Sequence, residues 1–96
     1  MRLTQFELDS IKSTFDDIFS CGKIYLFGSR VDDTGKGGDI DLYVVTKDTQ
    51  KVTKKINFLR ILKNKIGEQK IDLVISYDTS TPIEKEALKN SILLNL

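Results

Sequence analysis

Three aspartates and one glycine-serine pair are the residues whose types and spacing could carry chemistry: Gly28-Ser29, Asp39-Ile40-Asp41 and Asp72. An apolar run, Ile24 to Phe27, stops at Gly28-Ser29, a polar, glycine-rich segment follows, and Asp39-Ile40-Asp41 then opens a second apolar run, Leu42 to Val45. Side chains on a strand alternate faces with period two, so Asp39 and Asp41 project to one side and Ile40 to the other. Two close carboxylates repel each other unless a cation lies between them. A divalent metal is the expected cation.

The third apolar run, from Lys70 to Ile75, holds Asp72 between Ile71 and Leu73. In a strand buried on both faces that carboxylate would be costly without a partner. If this strand lies beside the second, Asp72 joins Asp39 and Asp41, giving three oxygen donors on one face. Such a set suits magnesium, which prefers oxygen ligands and shares its shell with water and phosphate. Two such ions would clamp an in-line phosphoryl displacement. The chain has no histidine, which excludes a Ser-His or Cys-His nucleophile pair, a His-containing zinc site and a histidine-dependent ribonuclease centre.

The elements that must position these residues are legible from periodicity. Thr4-Gln5-Phe6-Glu7 has capping-box spacing, and Leu8, Ile11, Phe15, Ile18 and Phe19 recur at helical intervals, predicting a helix from about Gln5 to Ser20 that ends at Cys21-Gly22. Ile24 to Phe27 is short and nearly all apolar, as a central strand covered on both faces should be. Gly28-Ser29 then sits at a strand's C-terminal end, and the residues after it could form a short helix whose first amides face an anion. Strand two runs from Asp39 to Val45. Val52, Ile56, Leu59, Leu62 and Ile66 mark an amphipathic helix over about Thr49 to Ile66, stopped by Gly67. Strand three follows, and Thr81-Pro82-Ile83-Glu84 signals a last helix through Glu86, Ala87 and Leu88. Ile92 to Leu96 fits either the end of that helix or a short edge strand. Strands alternating with helices predict an α/β domain.

At 96 residues the chain is read as a single domain, 1–96, too small to carry a second, substrate-binding domain. It must borrow its substrate surface or its partner. Fifteen basic against fourteen acidic residues leave a formal charge of +1, so no global field argues for nucleic acid. No apolar run approaches membrane-spanning length. The start, MRLTQFELDS, lacks the apolar core of a secretory signal, and Cys21 has no second cysteine to pair with. A cytoplasmic protein is expected.

Other motifs fail on spacing. A Walker loop ending at Gly35-Lys36 would need glycine in place of Arg30 and a hydroxyl in place of Gly37. An EF-hand beginning at Asp33 lacks its closing glutamate. The glycines precede a strand instead of following one, contrary to the dinucleotide fingerprint. Cys21 reads as a small buried residue. Every charge between Thr49 and Gly67 is basic, which reads first as a solvated face and second as a docking site for RNA or an acidic partner.

FGSRVDDTGKGGDIDLYVV, with the later KIDLVI, resembles the Gly-Ser and Asp-x-Asp signature of the nucleotidyltransferase superfamily that includes DNA polymerase beta. The small size resembles its minimal nucleotidyltransferase (MNT) branch, often the antitoxin partner of a HEPN-domain ribonuclease. The resemblance implies a small polymerase beta-like fold, with a central mixed sheet of three or four strands flanked by helices. It implies that Gly28 and Ser29 hold the nucleotide's phosphates; Arg30, next in the chain, reads either as a further phosphate contact or as a solvated surface residue. Asp39 and Asp41 would bind two Mg2+ ions, and Asp72 would complete one metal site and help deprotonate the acceptor hydroxyl. The implied activity is transfer of an NMP, AMP in the first instance, from an NTP such as ATP to a hydroxyl on a HEPN toxin. A binding-only antitoxin and an aminoglycoside-type enzyme completed by a separate chain are the alternatives, and a homodimer is left open. Gly38 stands where the family usually has serine, and Val31-Asp32-Asp33 stands where many members have Ala-Arg-Gly.

Overall fold

The computed structural model describes residues 3–19, 21–28, 39–67, 69–77, 85 and 88–95. Ser29, Arg30, the segment through Gly38 and the Thr81-Pro82-Ile83-Glu84 helix start lie outside the described residues.

The first helix, α1 (Gln5–Ile18), starts where its capping box predicts. The Glu7 N–H donates to Thr4 Oγ1 at 3.0 Å, and the Thr4 N–H donates to Glu7 Oε1 at 2.9 Å, satisfying two of the helix's orphan donors. Glu7 Oε2 also accepts from the Gln69 side chain at 2.9 Å, which ties the helix start to the segment leading into the third strand.

Among the described residues four strands form one sheet: β1 (Lys23–Phe27), β2 (Ile40–Val45), β3 (Ile71–Ser76) and β4 (Ile92–Leu93). Their order is β3-β2-β1-β4. β1 pairs antiparallel with both β2 and β4, whereas β2 and β3 run parallel through α2 (Lys51–Ile66), the crossover helix. The sheet is therefore mixed, and β1 is central. The chain's end, which periodicity left open, is the short edge strand β4. Its pairing is extended by Asn95, whose Oδ1 accepts from the Ile24 N–H at 2.9 Å and whose Nδ2 donates to the Gly22 carbonyl at 3.1 Å.

α1 and α2 pack on the same face of the sheet. Ile11 and Phe15 of α1, with Phe19 just beyond it, meet Phe58 and Leu62 of α2 over Ile24, Leu26, Ile40, Leu42, Val44, Ile71 and Leu73. Phe15 stacks on Phe19 at 5.1 Å between ring centroids, and Phe19 tilts toward Phe58 at 6.1 Å. Neither α1 nor α2 covers the other face, so β1 alternates buried and half-buried positions and is not sealed on both sides as its composition suggested.

The α2 stripe is also corrected. Val52 and Ile56, expected to face the core, are 74% and 60% exposed, while Phe58 and Leu62 are fully buried and Leu59 and Ile66 flank them. A helix only 16 residues long can present either of two overlapping apolar stripes. The larger aromatic, Phe58, wins the interior because it removes more apolar area from water. Gly67 ends α2 as expected, at φ +92° with its N–H bonded to the Lys63 carbonyl at 2.9 Å.

Candidate functional site

The face that α1 and α2 do not cover carries the acidic residues. Asp41 on β2 lies directly beside Asp72 on β3 in the parallel register, and opposite Phe27 at the end of β1. Asp39 comes one residue before β2 and points to the same side as Asp41 by strand alternation. Asp41 and Asp72 thus stand side by side at one corner of the sheet, with Asp39 at the start of β2 on the same side.

Gly28 closes that corner from the β1 side. Its φ is +77°, and a Cβ built there would fall on Asp41 Oδ2 and lie 3.2 Å from Asp41 Cγ. Glycine alone lets the backbone turn away from β1 while the Asp41 carboxylate lies against it.

The electrostatics are those of crowded negative charge. The Asp41 carboxyl is raised above its ordinary value, first by burial, then by the charges of Asp72 and Asp39 and by a hydrogen-bonding contact with Asp72; Lys70 works in the opposite direction. Lys70 Nζ lies 3.4 Å from Asp39 Oδ2, an exposed ion pair. Among the described residues no group of three carboxylates is gathered closely enough to hold one metal ion. The three sequence-predicted ligands share a corner, but Asp39 is engaged by Lys70 while Asp41 and Asp72 keep company with each other. The donor set, all oxygen and short of positive charge, is nevertheless chemically suited to a hard divalent cation.

Two expectations change. Asp72 is exposed, and β3 ends the sheet among the described residues; its position follows from register, with no buried charge needing compensation. Cys21 is exposed instead of buried, with Sγ 3.7 Å from both Thr46 Oγ1 and Asp48 Oδ1. The basic face of α2 is partly engaged within the fold: Lys54 pairs with Asp48 at 3.1 Å, Lys51 lies 3.3 Å from the centre of the Tyr77 ring, and Lys65 donates to Ser13 at 3.1 Å. A cleft lined by Cys21, Lys23, Tyr25, Thr46, Lys47 and Tyr77 opens near the Lys23–Val45 pair, the far end of the β1–β2 ladder from Asp41. It is no part of the acidic corner.

Lys70 is the site residue that reading along the chain missed. The signal was present as two similar tripeptides, Asp39-Ile40-Asp41 and Lys70-Ile71-Asp72. Once they are set side by side, the lysine falls beside the first aspartate.

The family described as "Polymerase beta, Nucleotidyltransferase" matches residues 9–95. No curated protein matches the chain.

Proposed function

Because the chain belongs to the polymerase beta nucleotidyltransferase family, and is accordingly a nucleotidyltransferase domain, we propose that it transfers an NMP, AMP in the first instance, from an NTP to a hydroxyl on a protein partner. The partner in this reading is a HEPN-type ribonuclease toxin, which the transfer would silence. The observation that carries the chemical part is the register: Asp41 and Asp72 side by side, with Asp39 one step away on the same face.

Asp39, Asp41 and Asp72 are the residues that would hold Mg2+, which supplies neutralisation of the triphosphate's charge when bound. The acceptor oxygen bonds to the α-phosphorus, the bond from that phosphorus to the pyrophosphate oxygen breaks, and pyrophosphate leaves. The acceptor's proton passes to a carboxylate, for which exposed Asp72 is the accessible choice. Gly28 keeps a side chain out of the corner. In this reading Ser29 and Arg30 contact phosphate. Phosphoryl transfer depends mainly on positioning and charge stabilisation, which is the kind of contribution carboxylates and a glycine turn can make.

The test is to incubate the purified chain with each labelled NTP, magnesium and the protein encoded by its genomic neighbour. Label on that protein, lost in an Asp39→Ala, Asp41→Ala double mutant, supports the reading. Undiminished neutralisation of the partner by the double mutant would sink it and leave a masking antitoxin. Label on an aminoglycoside without the partner would point to a small-molecule enzyme.

A further inference from the structure

The two tripeptides at the corner, Asp39-Ile40-Asp41 and Lys70-Ile71-Asp72, lie in parallel register, Ile40 against Ile71 and Asp41 against Asp72. They differ only in their first residue, aspartate on the β2 side and lysine on the β3 side. The backbone closes that step, since the Ile40 N–H donates to the Lys70 carbonyl at 3.0 Å. Lys70 Nζ reaches Asp39 Oδ2 at 3.4 Å, with 73% of its side chain exposed against 40% for Asp39. The ladder thus sets Lys70 and Asp39 side by side at its start.

Lysine is suited to a removable counter-ion. Its ammonium is a compact, strongly hydrated single charge on a flexible stem, whereas a divalent cation brings twice the charge and takes several oxygens at once. An exposed lysine-carboxylate pair is weak and screened by salt.

We propose that Lys70 is the resident counter-ion of the acidic corner, and that metal binding is an exchange in which a divalent cation displaces the Lys70 ammonium from Asp39. The proposal rests on the metal-binding reading given above. Lys70 is then a positioning residue: it holds Asp39 in the metal-free protein and sets how tightly the corner takes a metal.

The experiment is a titration of the purified chain with Mn2+ alone, followed by electron paramagnetic resonance, for the wild type and for Lys70→Met, Lys70→Gln and Lys70→Arg. A thermal melt in EDTA accompanies each. The exchange predicts that the two neutral variants bind Mn2+ about two- to fivefold more tightly, the strength of one exposed ion pair. It also predicts that their metal-free melts fall slightly, that Lys70→Arg stays close to the wild type, and that the affinity gap narrows as KCl is raised from about 50 to about 500 mM. A merely structural lysine would lower the melts without tightening metal binding. Equal or weaker Mn2+ affinity in the neutral variants overturns the exchange and leaves the metal reading standing; no Mn2+ binding by any protein overturns both.

Discussion

The Asp41 carboxylate fills the space that a side chain at position 28 would need: a Cβ on Gly28 would fall on Asp41 Oδ2 and lie 3.2 Å from Cγ. The end of β1 and the first carboxylate of β2 are thus mutually fitted, and the acidic corner depends on glycine as much as on aspartate.

Gly28→Ala is therefore expected to act twice. Left-handed backbone costs a non-glycine residue about 1–2 kcal/mol, and displacement of the Asp41 carboxylate should lower nucleotidyl transfer by about a hundredfold, as a misplacement of about 1 Å does. Gly67→Ala is the control. That glycine also has positive φ, but nothing lies within 4 Å of a Cβ built there, so it should lower the melting temperature and leave transfer per folded molecule unchanged. Equal loss of activity in both variants would show that Gly28 acts through stability alone.

Asp41→Asn should stabilise the metal-free protein at neutral pH. The Asp41 carboxyl is raised in the folded chain, so between the unfolded value of 3.8 and the raised one the native state binds more protons than the unfolded state. Stability from this group therefore falls as pH rises through the folded value, and the penalty persists at neutral pH. Removing the charge should recover a few tenths to about 1 kcal/mol, the scale of a like-charged cross-strand pair, and flatten this part of the pH profile. Denaturant melts from pH 3.5 to 7.5 read both effects. A large loss of stability in the variant would make Asp41 a structural residue.

Magnesium with a nonhydrolysable NTP should raise the melting temperature. Ligand at ten times its Kd adds about 1.4 kcal/mol, a rise on the order of 6–10 °C for a domain of this size. No shift near a millimolar would mean that the isolated chain does not form the site.

Ser29→Ala should lower transfer by roughly ten- to a thousandfold, the cost of one or two polar contacts in the transition state. Docking to the partner in the absence of nucleotide should barely change. Both quantities are to be measured on the same preparation, and a parallel loss of docking would place Ser29 in the interface.

The two apolar stripes of α2 make opposite predictions. Phe58 is fully buried, and Phe58→Ala should cost about 3–5 kcal/mol, a large share of the stability of a domain this small. Val52→Lys and Ile56→Gln should each stay within about 0.5 kcal/mol. Urea melts of the three variants decide it.

The sequence by itself determined what depends on neighbours along the chain. Thr4 and Glu7 are three residues apart and cap α1 reciprocally; Gly67 ends α2; Asp39 and Asp41 share a face because strand alternation allows nothing else. The Gly-Ser and paired-aspartate pattern was enough to indicate the family. Only the tertiary structure decided what depends on pairing between distant segments. Helical spacing identifies apolar stripes but not the one that meets the sheet, so Val52 and Ile56 were misassigned and Phe58 was overlooked. Composition identified β1 as central but not that α1 and α2 lie on one face of it. The parallel register of β2 and β3 brought Asp72 beside Asp41 and Lys70 beside Asp39. A period-two pattern fixes which face a residue takes on its own strand, but the residue beside it on the next strand is set by how the two strands slide together over a shared core.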